Sequence, residues 1–387
     1  MMPDSRVFRV PSTTHVGAGA AAHTGPEAAR LGGKRALIIT DAFLFSSGTL
    51  QPVLDSISKA GLESFVFDKV NSEPTTGHVE DGLAMFKESG CDIIVAAGGG
   101  SPIDVAKGVS ALAANPGHIQ DYMGYDKVAK EGPPIIAVPT TAGTGSEATM
   151  VTIITDTEND VKMLITSPWL LAKVAIVDPL LTLGMPKGIT AATGLDALTH
   201  AIEAYVSRKA QPMTDILALS AVRLIYRNLP IAWAEPKNIE ARANTLLGAL
   251  QAGIAFSNAS VALVHGMSRP VGALFHVPHG VSNACLLGVV TDFSLEGAYE
   301  RYADVARALG VEGEGDAKTI AQEGAKKIRQ IIKDLEVPTL AQLGVTREKL
   351  EPVVGKMAND AIASGSPGNN PRLASKEEII TLYFEAL

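Results

Sequence analysis

Two stretches of the chain carry metal-ligating side chains at spacings a helix can use. In residues 194–205 (GLDALTHAIEAY), Asp196 and His200 stand four apart, so on a helix both project from one face and can grip one ion. A plain helix ion pair has the same spacing, and on this segment alone both readings stand. Residues 265–280 (HGMSRPVGALFHVPHG) hold three of the eight histidines in the chain. Buried imidazoles in so apolar a stretch need partners. Joined to Asp196 and His200, His265 and His279 complete an Asp-plus-three-His set suited to a divalent first-row metal, a Lewis acid toward a carbonyl or alkoxide oxygen. His276 reads either as a neighbouring or surface histidine or as a proton carrier. Phe256 and Phe275 flank the segment, as core residues or as the wall of an apolar pocket.

A second kind of chemistry is written in residues 92–107 (DIIVAAGGGSPIDVAK): a strand, three glycines, then Ser101 as expected N-cap with Pro102 at the first helical position. Glycines Gly98, Gly99 and Gly100 let the backbone approach an anion closely, and the N–H groups and positive dipole end of the helix favour a pyrophosphate. The run is not the G-x-G-x-x-G fingerprint, and a tight connection is the plainer alternative. Residues 139–149 (PTTAGTGSEAT) form a second small, hydroxyl-rich loop after a strand. Asp41 ends the first strand, where a carboxylate either accepts from a ribose diol, favouring NAD over NADP, or caps a helix. Lys162 is a further candidate for a polar cofactor contact or a solvated surface charge.

These groups need a scaffold. Between residues 34 and 180, β-branched runs at 35–40, 92–97, 135–139 and 173–177 alternate with helical patterns near 48–60 and 79–89, the signature of βαβ units and a mostly parallel sheet. Beyond residue 185 the periodicity is helical. Prolines 179 and 186 punctuate the change. We therefore expect an α/β dinucleotide-binding domain over residues 1–184 and an all-α metal- and substrate-binding domain over 185–387. Ser375 with Glu378 three residues on predicts a capping box for a last helix.

Composition narrows the function classes. At 387 residues two hydrophobic cores are the default. A net charge of −8, with no Lys/Arg stripe, argues against nucleic acid as a partner. Cys91 and Cys285 are too few for a disulfide framework, which suits a cytoplasmic protein. Neither a signal-peptide pattern nor an apolar run long enough to span a bilayer is present, so no membrane is expected.

Taken together and in order, GGGSPIDVAK, PTTAGTGSEAT, Lys162 before the VDP turn, GLDALTHAIEAYVS, FSNASVALVHGMSRPVG, PHGVSNA and NNPR resemble the iron-containing (group III) alcohol dehydrogenase family, which includes lactaldehyde reductases and 1,3-propanediol dehydrogenases. The likeness runs from about residue 10 to the C-terminus. It implies a dehydroquinate synthase-like fold with cofactor and metal in a cleft between the halves, and metal ligation by Asp196, His200, His265 and His279. It further implies cofactor contacts from Asp41, Gly98, Gly99, Gly100, Ser101, Thr140, Thr141, Thr144, Thr149 and Lys162. NAD and Fe(II) are the implied cofactors, with zinc or another divalent ion as alternatives, a small alcohol or aldehyde the substrate, and a homodimer or larger homo-oligomer the assembly.

One departure stands out. The family pattern places a histidine four residues after the one matched by His265, and Arg269 occupies that position. A guanidinium cannot titrate as the base that histidine supplies. Proton transfer then falls to metal-bound water, His276 or ribose hydroxyls, and Arg269 is a candidate for selecting a carboxylate, sulfonate or phosphonate on the substrate. Pairing of Arg269 with the cofactor or a nearby carboxylate is the alternative. Two rival functions are a dehydroquinate-synthase-like lyase that recycles NAD internally and a non-catalytic protein that keeps only the fold.

Overall fold

In the computed structural model, residues 5–159 and 161–387 are described, and the chain divides into two compact units: residues 9–184, and residues 185–387 with the short segment 5–8. Among its described residues the first unit contains nine strands: β1 (Thr13–Val16), β2 (Arg35–Ile39), β3 (Glu63–Phe67), β4 (Ile93–Gly98), β5 (Gly124–Tyr125), β6 (Ile135–Pro139), β7 (Val151–Asp156), β8 (Val161–Thr166) and β9 (Val174–Val177). Its helices are α1 (Thr24–Arg30), α2 (Ala42–Ser46), α3 (Gln51–Lys59), α4 (Thr76–Glu88) and α5 (Gly100–Ala114). Six strands form one parallel sheet in the order β1-β9-β6-β4-β2-β3.

Parallel sheets are covered on both faces, so their inner strands read as unbroken apolar runs. Strand β4 is buried along its whole length. Its side chains alternate between two cores: Ile94 and Ala96 pack with Leu37, Ile103 and Val109, while Ile93, Val95 and Ala97 pack with Ile38, Val53 and Ile57. Strands β2, β4, β6 and β9 lie where the β-branched runs place them. The expected sequence pattern does not show β1 and β3, because both are edge strands with exposed positions. Nor does it show β7 and β8, an antiparallel pair in a separate three-stranded sheet with β5.

One local expectation is corrected. Helix α5 starts at Gly100, capped by Gly99 rather than by Ser101, so Ser101 lies inside the first turn. Gly99 adopts an extended backbone (φ −71°, ψ −163°), and the chain turns from β4 into the helix within one residue.

The second unit is helical. Its helices around the candidate ligands are α6 (Lys187–Val206), α7 (Pro212–Ala234), α8 (Ile239–Ala259), α9 (Leu263–Phe275) and α10 (His279–Ser294), of which α6, α9 and α10 carry them. Helices α8 and α9 meet at a bend of 102°. Ser260 makes that corner with φ of 66°, a left-handed backbone that a side chain rarely adopts. The corner is held from outside: Asn369 Nδ2 donates to Ser260 Oγ and Val261 O, both at 3.0 Å, and Ser207 Oγ donates to Ala259 O at 2.6 Å. No single described helix is long and apolar enough to cross a membrane. The last helix, Lys376–Glu385, carries the expected Ser375–Glu378 capping box.

Candidate metal centre and nucleotide-binding turn

The helical unit brings Asp196, His200, His265 and His279 to one point. Asp196 and His200 sit one turn apart on α6, His265 in the first turn of α9, and His279 is the first residue of α10. Asp196 Oδ1 lies 3.5 Å from His265 Nε2, 3.8 Å from His279 Nε2 and 4.0 Å from His200 Nε2. Asp196, His265 and His279 form the tightest set, their ligand atoms all within 4.8 Å of one another. His200 is fixed by ring stacking, 4.2 Å from Phe256 on one face and 4.4 Å from His265 on the other. Phe256 is thus a wall of the cluster. Helix α10 approaches α6 closely at Gly280, where a Cβ would come within 2.5 Å of the Ala192 carbonyl oxygen.

The chemistry of this donor set fits a divalent cation. Burial alone would raise the Asp196 carboxyl, yet His200, His279 and His265 outweigh it and hold the group far below the ordinary carboxylate range. Burial alone would lower His265, yet Glu203 and Asp196 push it up to about 9. The pocket therefore favours positive charge at His265 Nε2, and a cation bound there displaces a proton. A donor already sits at the convergence point: Asn283 Nδ2 is 2.6 Å from Asp196 Oδ1, 3.1 Å from His265 Nε2 and 3.2 Å from His279 Nε2. Asn283 is fully buried, and among the described residues its Oδ1 has no hydrogen-bond partner.

Two members of this site escape a reading by residue type. Glu203 Oε2 lies 2.6 Å from His265 Nδ1, and its Oε1 accepts from Val264 N at 2.6 Å, so one carboxylate caps α9 and orients its histidine. Asn283 is the other. Helix spacing was the available signal: Glu203 falls seven residues after Asp196, and Asn283 four after His279, on the ligand-bearing faces. His276 is not brought to the cluster by any described contact; it is exposed and ends α9 with φ of 56°. Arg269 lies one turn after His265, half-buried, with Nη1 donating to Ser366 Oγ at 3.1 Å.

In the α/β unit the glycine turn and residues 139–149 pack against each other. A Cβ on Gly98 would strike Pro102 Cγ at 2.6 Å, and one on Gly100 would strike Thr144 Cγ2 at 2.8 Å, so neither of these two positions has room for a side chain. Thr140 N donates to Gly98 O at 2.9 Å. Thr140 and Thr149 are buried, and the Thr149 hydroxyl accepts from Lys107. Thr141 is half-buried against Gly99, and Thr144 Oγ1 accepts from Ser146 N at 3.2 Å. Asp41 caps α2, its Oδ1 accepting from Leu44 N at 2.9 Å. Lys162, on β8, is paired with Glu73 at 2.6 Å.

A parallel α/β unit with a glycine turn at a helix N-terminus, joined in one chain to a helical unit bearing an Asp-His cluster, is an arrangement suited to an enzyme that pairs a nucleotide with a metal. The chain belongs to the iron-containing alcohol dehydrogenase family: the family model covers residues 11–179, and its C-terminal model residues 190–387. It is 41% identical to the 1,3-propanediol dehydrogenase of Klebsiella pneumoniae over 98% of both chains. The crystal structure of a 1,3-propanediol oxidoreductase superposes with a TM-score of 0.96 at 40% identity, covering 99% of this chain and 100% of that one. The sulfoacetaldehyde reductase of Bifidobacterium kashiwanohense, solved with NAD+, matches with a TM-score of 0.88 at 30% identity over 99% of each chain. The chain is accordingly an NAD-dependent alcohol and aldehyde oxidoreductase.

Proposed function

We propose that this enzyme interconverts a small aldehyde and its alcohol with Fe(II) held by Asp196, His200, His265 and His279, and with NAD(H) bound at residues 98–101 and 139–149. The observation that carries the metal reading is the convergence of Asp196 Oδ1, His265 Nε2 and His279 Nε2 within 4.8 Å of one another, with Asp196 and His265 buried and His279 partly exposed. A divalent cation in that set supplies Lewis acidity toward a substrate oxygen. The chain does the rest. Glu203 holds the His265 ring so that Nε2 faces Asp196. Phe256 keeps water from one face of His200. The side-chain-free turn at Gly98–Gly100 presents helix α5 to a pyrophosphate, with Asp41 as the ribose partner and Lys162 as a further polar contact.

The experiment is anaerobic purification with elemental analysis, then NADH oxidation by an aldehyde panel with and without Fe(II). About one metal per chain and turnover that depends on it are expected. Neither metal uptake nor turnover would overturn the reading and leave a non-catalytic fold. NADH-neutral turnover of a cyclising substrate would instead favour the lyase alternative. With two unpaired, poorly ionised thiols, the enzyme suits a reducing cytoplasm. We place it there as a homodimer or larger homo-oligomer, to be tested by sedimentation.

A second reading concerns the substrate. Arg269 stands on the same face of α9 as His265, one turn further on, and a guanidinium is a bidentate partner for a carboxylate, sulfonate or phosphonate. One solved relative is named for a sulfonated aldehyde. Replacing Arg269 by His should then raise KM for anionic aldehydes about tenfold or more while sparing neutral ones. A preference for uncharged aldehydes that Arg269→His leaves unaltered would sink this reading.

A further inference from the structure

The short turn Ser366–Asn369 is built tightly against α9 and carries a hydroxyl that the proposed chemistry does not use. A Cβ on Gly266 would come within 2.7 Å of Pro367 Cγ, so the α9 backbone meets this turn as closely as a residue without a side chain allows. The far end of the turn is tied down as well: Asn369 Nδ2 holds Ser260 and Val261, and Asn369 O accepts from Arg208 N at 2.8 Å. Tyr383, buried in the last helix, donates its hydroxyl to Met267 O at 2.7 Å. These contacts flank a weak place in α9. Pro270 follows Arg269 inside the helix, where it disfavours the helical backbone of the residue before it and leaves the Gly266 carbonyl without its helical donor.

Ser366 opens the turn and is only 6% exposed. Its Oγ accepts from Arg269 Nη1 at 3.1 Å, and among the described residues nothing accepts the proton of that hydroxyl. A serine that only accepts keeps one O–H to give, and a buried donor left unused costs about as much as a lost hydrogen bond. The acceptor that suits it must also tolerate a guanidinium beside it. An anionic oxygen meets both demands, because each donor strengthens against negative charge. A fixed oxygen on the turn also limits where the long Arg269 side chain can point, so less ordering is left for the moment of binding.

We propose that Ser366 is a specificity-determining residue for substrates that carry a carboxylate, sulfonate or phosphonate. Its oxygen holds the Arg269 guanidinium, and its hydroxyl proton is donated to the same anionic group. The inference rests on the reading of Arg269 as the partner of that group.

The test uses the full-length, metal-loaded enzyme with NADH and three aldehydes of matched length: one sulfonated, one carboxylated and one uncharged. Ser366→Ala removes both the acceptor and the donor. It should lower kcat/KM for the charged aldehydes, relative to the uncharged one, about tenfold, with the loss in KM and kcat within about twofold. Ser366→Cys, nearly isosteric with a weaker donor, should fall between the two and keeps the test open should the alanine variant fold poorly. Methanesulfonate should compete with the aldehyde, and its inhibition constant should rise in Ser366→Ala by a similar factor. In Arg269→His the serine has no guanidinium to hold, so the double variant should lose less than the product of the two single losses. A merely structural role would lower kcat/KM for all three aldehydes together with the melting temperature, and that result overturns the proposal. So does a preference for charged aldehydes that needs Arg269 but survives Ser366→Ala within twofold. A wild-type enzyme with no such preference instead removes the Arg269 reading, and the assignment of Ser366 falls with it.

Discussion

Glu203 Oε2 lies 2.6 Å from His265 Nδ1, and that contact decides which imidazole nitrogen is turned toward Asp196. Both side chains are buried, so water cannot replace either partner. The Glu203→Gln variant keeps the shape and removes the charge. We expect metal affinity to fall about 10–100-fold, measured by competition with a chromogenic chelator. An affinity within twofold of wild type would mean that the ring is oriented by something else.

Asn283 leads to a second prediction. Its amide nitrogen donates to Asp196 Oδ1 at 2.6 Å and lies 3.1 and 3.2 Å from His265 Nε2 and His279 Nε2, three atoms that would ligate a cation. Asn283→Asp puts a second carboxylate against Asp196, a repulsion that a divalent ion relieves. With chelator present the variant should melt several degrees below wild type, by roughly 1–3 kcal/mol. Adding Fe(II) or Zn(II) should raise its melting temperature more than it raises that of wild type. Equal metal-induced shifts in the two proteins would refute this account.

Glu147 gives stability a pH dependence. Burial raises its carboxyl to about 7, only partly offset by a backbone hydrogen bond and by Lys107. A folded-state value above the unfolded one means the folded protein holds the proton more tightly. The stabilisation is therefore full below about pH 4.5 and is lost as the pH climbs through 7. Glu147→Gln mimics the neutral acid at every pH. Its melting temperature should be close to wild type near pH 5 and above it at pH 8, by something on the order of 2 kcal/mol. A difference independent of pH would show that Glu147 ionises as an ordinary carboxylate.

The two thiols should be inert. Burial pushes Cys91 and Cys285 up to about 11, and Cys285 Sγ donates to Pro338 O at 3.2 Å. At pH 8 only about one molecule in a thousand carries either thiolate. Iodoacetamide at that pH should leave activity intact, and denaturation should then reveal two titratable thiols. Rapid inactivation protected by NADH would contradict this.

Much of the fold could be read from the chain because burial on both faces leaves a plain mark. Strands β2, β4, β6 and β9 are continuous apolar runs, whereas β1 and β3 are edge strands whose exposed positions break the pattern. The site was legible where residue type is itself the signal: an aspartate and histidines at helical spacing. It was illegible where a common residue acquires its role from a neighbour distant in sequence. Glu203 matters through a histidine 62 positions away, and Ser366 through Arg269, 97 positions away.

The 102° corner between α8 and α9 depends on residues made long after it. Ser260 and Val261 are gripped by Asn369, 109 and 108 residues further along the chain. A growing chain can therefore finish its α/β half while still on the ribosome, since that half ends at Gly184. The corner that aims His265 at Asp196 must wait until Asn369 has been made. A chain truncated before Asn369 should therefore hold a cation at this site less tightly, although all four proposed ligands have already been made.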